Sequence, residues 1–176
     1  MLENNFLGGR TVKTRVLWVE DSARLELRNL TGPIYISGEY DMNLAEDATS
    51  AVSYLQSKEY DAIILDMRLP PGIDDFWIKI YQERGEDKAD ARLGLELANW
   101  MFSGRPDYAF TPPGWIERYH VGVFTVENDT NLHVRLNELG INVFQHKAAG
   151  LVDTILIDII TRIREEQPVF RNRNGG

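Results

Sequence analysis

Three short apolar runs constrain this chain more than any other feature: Arg15 to Asp21 (RVLWVED), Asp61 to Met67 (DAIILDM) and His120 to Glu127 (HVGVFTVE). Each is too short for an ordinary helix, carries many β-branched residues and gives way to polar residues, which is the pattern of a strand buried on both faces. A weaker fourth run spans Ile141 to Lys147 (INVFQHK). Helical spacing fills the intervals. Ala51, Val52 and Leu55 share a face before Asp61, and Leu132, Leu136 and Leu139 share one before Gly140, a residue suited to the position just past a helix end. Leu151, Val152, Ile155, Leu156, Ile159, Ile160 and Ile163 form one wide apolar stripe. Strands alternating with helices predict a parallel sheet covered on both faces with right-handed crossovers, and in such sheets ligands bind at the carboxyl ends of the strands.

Composition removes several kinds of chemistry. With no cysteine, a disulfide scaffold, a thiolate zinc site, an iron–sulfur cluster and a cysteine nucleophile are excluded. His120, His133 and His146 have no metal-ligand spacing, so any metal must be held by oxygen. The 27 Asp and Glu against 19 Lys and Arg disfavour direct nucleic-acid binding. No apolar stretch reaches the length of a membrane span, and the start (MLENNFLGGRTVKTR) lacks the apolar centre of a signal peptide, so a cytoplasmic protein without membrane contact is expected. The 176 residues suffice for one core, read as a domain over 15–166 between polar extensions at 1–14 and 167–176.

The strand ends carry the chemistry. The first run closes on Glu20 and Asp21, the second on Asp66, the third on Thr125, and the weaker one on Lys147. Carboxylates crowded together repel and are driven to protonate unless a cation neutralises them, so the cluster predicts a hard divalent ion, Mg²⁺. One carboxylate then becomes a candidate nucleophile toward phosphorus, with Lys147 and the Thr125 hydroxyl placed for the phosphoryl oxygens. Singly, each has a plainer reading: Asp21 with Ser22 as a helix cap, Asp66 as a turn acid, Thr125 as a strand residue and Lys147 as a solvated surface lysine. The ordered set points to a phosphoryl-accepting aspartate.

That order of acid pair, Asp, Thr and Lys on successive strand ends resembles the receiver domain of two-component response regulators. VLWVED at 16–21 is similar to its acidic first strand, AED at 45–47 to the exit of its second, and DMRLPPG at 66–72 to its phospho-acceptor strand and following loop. Phe144, three residues before Lys147, matches its aromatic switch position, and the likeness covers about residues 15–165. The resemblance implies an α/β doubly wound, flavodoxin-like fold with five parallel strands in the order 2-1-3-4-5. It implies that Asp66 takes phosphate from a sensor histidine kinase or phosphotransfer protein. Mg²⁺ would be held by Asp21, Asp66 and the backbone carbonyl of Arg68, with Glu20 reaching it through water. Thr125, Lys147 and Phe144 would bind the phosphoryl group and report it, while Arg68 and Glu127 tune autodephosphorylation.

The expected function is therefore a single-domain response regulator whose output passes through contacts with a downstream protein or a second copy in a homodimer. Its catalysis is limited to self-phosphorylation and slow acyl-phosphate hydrolysis. A pseudo-receiver, a phosphorylation-independent interaction module, is the alternative. An aspartate-nucleophile phosphohydrolase fits less well, because its second acid falls where this chain has Arg68.

Several segments depart from the family. Ala148 stands where a Pro in a cis peptide is usual, so a trans bond or a strained site is expected there. Val126 replaces a small residue and is expected to narrow the entrance to the acceptor. A short helix is expected near Ala23 to Leu30, because PIYISGEY alternates like a strand after Gly32-Pro33. Two insertions, about 73–92 and 104–119, separate PPG from LGLELANW and follow it. The first is amphipathic and reads either as an extra helix over exposed core or as a lid or partner-docking element.

Overall fold

A computed structural model describes residues 12–24 and 27–168; most of both expected terminal extensions, 1–11 and 169–176, lies outside the described residues. Five strands, β1 (Thr14–Val19), β2 (Tyr40–Ala45), β3 (Ala62–Leu65), β4 (Val121–Thr125) and β5 (Val143–His146), form one parallel sheet in the order β2-β1-β3-β4-β5. Helices α1 (Gly32–Ser37), α2 (Ala48–Ser57), α3 (Asp75–Glu83), α4 (Lys88–Ala91), α5 (Leu93–Phe102), α6 (Thr130–Glu138) and α7 (Ile155–Glu166) complete it. None of these helices is long and apolar enough to cross a membrane.

The alternation of side chains along a strand sorts the core into two layers. Leu17, Val19, Ile63, Leu65, Val121 and Val123 face one way, against α2, α3, α5 and α6. Val16, Trp18, Ala62, Ile64 and Phe124 face the other way, against α1 and α7. Every residue of β3 and β4 is buried, which explains why these two runs show no polar alternation. Each fully buried Val, Leu, Ile or Phe contributes about 1.5–3 kcal/mol relative to exposure, so both layers are needed to hold the strand ends in place.

Local signals set the helix ends. Asp47 and Ser50 form a reciprocal capping box at the start of α2, and Asp74 and Asp129 cap α3 and α6. At the end of α6, the amides of Gly140 and Ile141 donate to the carbonyls of Asn137 and Leu136, each at 2.9 Å, and Gly140 takes φ +75°. That paired closure needs a left-handed residue, as the sequence position of Gly140 implied.

Two expectations are corrected. The strand-like PIYIS segment is helix α1, preceded by a 3-10 helix at Arg28–Thr31, and the described part of the expected Ala23–Leu30 helix is turn at Ala23, Arg24 and Leu27 and 3-10 from Arg28 onward. Pro33 in the first turn and Gly38 at φ +70° bracket α1, overriding the β preference of its Ile and Tyr residues. Secondly, α7 begins only at Ile155; Leu151 and Val152 precede it, and Val152 is 59% exposed. The first insertion is amphipathic along α3, as its pattern implied, with Phe76, Trp77, Ile80 and Tyr81 turned to the core. Its α3 buries Trp77 completely, while α4 leads straight into α5 through Arg92, held in the left-handed region at φ 45°, ψ 52°.

The two insertions pack on each other across α5. Phe76 lies 5.7 Å from Tyr108 and 5.6 Å from Phe110 between ring centroids, and Trp100 Nε1 donates to the Phe110 carbonyl at 2.8 Å. Below this aromatic cluster Glu96, 4% exposed, takes hydrogen bonds from Arg84 at 2.6 Å and from the Tyr108 hydroxyl at 2.5 Å. One buried carboxylate thus joins both insertions to the helix between them.

Candidate functional site

β1, β3 and β4 lie side by side, so Glu20 and Asp21, Asp66 and Thr125 emerge together at one edge. One carboxylate oxygen from each of Glu20, Asp21 and Asp66 lies within 4.8 Å of the other two. Glu20 is 1% exposed and Asp66 3%, whereas the Asp21 side chain keeps 21% of its surface open. Asp66 Oδ1 accepts from the Met67 amide at 2.7 Å, which fixes the carboxylate against its own strand exit.

The neighbouring loop cannot move freely. The Gly94 amide donates to the Met67 carbonyl at 3.1 Å, and a Cβ built on Gly94 would stand 1.8 Å from the Asp66 carbonyl oxygen. A glycine at the start of α5 is therefore what lets that helix approach the exit of β3. No signal in the sequence marked Gly94 for this role.

Lys147, at the exit of β5, has a side chain only 9% exposed and pairs with Glu20 while reaching Asp66 at 3.0 Å. Its amide donates to the Thr125 carbonyl at 2.8 Å, so the β4–β5 pairing continues to the lysine. The Lys147–Ala148 bond is trans, as is every described peptide. Burial, reinforced by the Asp66 charge, pushes the Glu20 carboxyl up to about 7 even though Lys147 opposes the shift. The Asp66 charge thus makes Glu20 harder to ionise, a repulsion that a bound cation would relieve.

Thr125 is fully buried, and its hydroxyl accepts from the Glu127 amide at 3.3 Å. Val126 is 44% exposed. Phe144 is half-buried, with its ring centroid 4.3 Å from that of His133 on α6. The Arg68 and Glu127 side chains, both two residues past a site residue, meet at 2.5 Å.

Two cations that the sequence reading missed complete this edge. Lys88 of α4 donates to Asp21, a contact that raises the Lys88 pKa, and Arg92 reaches Glu127 at 3.4 Å and Asp129 at 2.9 Å. Both come from the first insertion, where neither periodicity nor motif distinguishes them from solvated charges. The set suits a hard divalent ion, since all its donors are oxygens and three of them are acidic.

No protein-family model and no curated protein matches the chain. Among solved structures, a CheY-like response regulator receiver domain protein from Methanospirillum hungatei is similar at TM-score 0.57 and 15% identity, over 88% of this chain and 97% of its own. A signal receiver domain from Vibrio parahaemolyticus is similar at TM-score 0.56 and 19% identity, over 94% and 99%. This chain has the receiver-domain fold. A response regulator from Burkholderia pseudomallei, solved with a phosphorylated aspartic acid, a calcium ion and citrate, is similar at TM-score 0.53 and 18% identity, over 92% and 75%. On the receiver-domain fold, the carboxyl edge of the sheet is the place where Glu20, Asp21, Asp66, Thr125 and Lys147 gather here.

Proposed function

We propose that this protein is a phosphorylation-controlled signalling switch in which Asp66 accepts a phosphoryl group from a histidine kinase or a phosphotransfer protein. The observation that carries the reading is the meeting of three carboxylates within 4.8 Å, with Lys147 bonded to two of them. Mg²⁺ would be held by Asp21, Asp66 and the Arg68 carbonyl, with Glu20 through water, and would supply the positive charge that lets an anionic acceptor meet an anionic donor. An Asp66 carboxylate oxygen bonds to phosphorus as the P–N bond of the donor phosphohistidine breaks and its imidazole nitrogen keeps the electron pair. Lys147 pairs with the new phosphoryl charge, and the Thr125 hydroxyl, whose oxygen accepts from the Glu127 amide, uses its own proton to donate to a phosphoryl oxygen.

Output would pass through protein contacts on the side of α6, β5 and α7, where Phe144 rests on His133. Phosphorylation shifts a pre-existing equilibrium by binding one state better than the other. The Arg68–Glu127 pair stands where it can govern the approach of water to the acyl phosphate, and so the lifetime of the signal. Incubation with Mg²⁺ and acetyl phosphate, followed by intact-mass measurement, is expected to add one phosphate to the wild type and none to Asp66→Asn. An adduct that forms equally on Asp66→Asn refutes the assignment.

One observation favours a pseudo-receiver as the second reading. Lys147 and Lys88 already offset much of the acid cluster's charge from within the chain. Absence of both an adduct and beryllofluoride binding in the wild type would support it and direct attention to the insertions as the contact surface.

A further inference from the structure

Lys88 and Arg92 lie one helical turn apart on and just past α4, yet they engage opposite sides of the acceptor strand. Lys88 holds Asp21 at the exit of β1, and Arg92 holds Glu127 and Asp129 beyond β4. β1 and β4 are the two strands that flank β3, which carries Asp66. The first insertion is thus latched across the site by one cation on each side.

These two contacts differ in what they touch. Arg92 meets carboxylates outside the acid cluster, whereas Lys88 binds Oδ2 of Asp21, one of the three clustered acids. An ammonium bonded to the Asp21 carboxylate competes with a divalent ion for that carboxylate's charge, and two cations on one carboxylate repel each other. Lys147 cannot be the group that yields, because its side chain is 9% exposed and is tied to two carboxylates. Lys88 has 43% of its side chain exposed and can turn into water. The backbone beneath it is fixed, since Ala91 is fully buried and the Ala91 carbonyl accepts from Arg84 at 3.0 Å.

We propose that Lys88 is a displaceable counter-ion of Asp21: it offsets the Asp21 charge without metal and is expelled as a divalent ion binds, so that it sets the metal affinity of the site. The proposal rests on the metal-binding reading given above. It also gives the insertion a function beyond covering core, because metal occupancy releases one of the two latches that α4 places across the acceptor.

Mn²⁺ binding to the full chain, followed by the electron paramagnetic resonance of the free ion, tests this without reference to phosphorylation. Lys88→Met is expected to tighten Mn²⁺ binding about tenfold at low salt. Lys79→Met, which removes an equal charge from an exposed lysine of α3 (75% exposed), is expected to change it less than about twofold. In the wild type, Mg²⁺ is expected to shift the NMR signal of the isotopically labelled Lys88 side chain and leave that of Lys79 in place. Equal affinities for wild type and Lys88→Met, in a wild type whose binding is lost on Asp21→Asn, overturn the Lys88 proposal alone. Failure of the wild type and Lys88→Met alike to bind Mn²⁺ overturns the metal site and the proposal together.

Discussion

Replacing Lys147 by Met removes the cation that Glu20 and Asp66 share while keeping most of the side-chain volume. The Glu20 and Asp66 side chains are 2% and 5% exposed, and Lys147 lies 3.0 Å from Asp66. Removing one partner of a buried ion pair costs about 3–5 kcal/mol, because the remaining charge has lost both water and its counter-ion. That cost has an outlet. The Glu20 carboxyl is already raised to about 7 by burial and by the Asp66 charge, and losing Lys147 raises it further, so a proton on Glu20 takes over part of the neutralisation.

The outlet fixes the sign of the pH dependence. A carboxyl raised in the folded state binds more protons there than in the unfolded chain, so stability falls as pH rises through the window between the two values. In wild type that window closes near pH 7; in the variant it extends higher. Above pH 7 the variant therefore loses about 1.4 kcal/mol per pH unit relative to wild type until its own Glu20 is ionised. Urea unfolding with a chelator present is expected to show a cost of about 3–5 kcal/mol at pH 8.5, smaller by about 2 kcal/mol at pH 6. Millimolar Mg²⁺ is expected to recover part of the loss at pH 8.5, since an ion bound by the same acids supplies the missing charge. A cost that is the same at both pH values, or below about 1 kcal/mol at both, would refute the claim that these carboxylates share a buried cation.

Gly94→Ala is expected to destabilise the protein by about 1–3 kcal/mol and to weaken Mn²⁺ binding, because its Cβ would stand 1.8 Å from the Asp66 carbonyl; unchanged melting and unchanged binding would show that α5 does not press on the exit of β3. Glu96→Ala is expected to cost about 3–5 kcal/mol near neutral pH in a thermal or urea melt. Burial raises the Glu96 carboxyl, but bonds from Tyr108 and Arg84 outweigh it and the net shift is downward. Its stabilisation is therefore present above the ordinary carboxylate range and lost as pH falls through the depressed value, so the gap to the Ala variant narrows in acid; a gap that widens in acid would contradict this.

How much of this was legible in sequence depends on whether a residue's role is local. β3 and β4 announced themselves because burial on both faces leaves continuous apolar runs, and their ends placed Asp66 and Thr125 correctly. The capping acids of α2, α3 and α6, and Gly140 after α6, obey rules that act within a few residues. The α1 segment misled because its Ile and Tyr residues favour strands, while Pro33 and Gly38 together with the packing of Ile34 decide for helix. Gly94 was illegible because its necessity comes from a carbonyl 28 positions earlier in the chain.

The same distinction accounts for the cations at the site. Lys147 could be found because it ends an apolar run, and strand order carries it to Asp66. Lys88 sits in a stretch of alternating charges, with Asp87 capping its short helix, and such a stretch reads as solvated surface. Its role depends on a contact with Asp21, 67 positions away, in an insertion that Arg84, Glu96 and Tyr108 help to hold on α5. Two lysines face three clustered carboxyls, and the raised Glu20 carboxyl shows that the lysines do not fully offset the crowding of acids; under the metal-binding reading a divalent ion would relieve it. Such an ion would also make Lys88 superfluous, so the residue hardest to read from sequence is the one whose position responds when the site is filled.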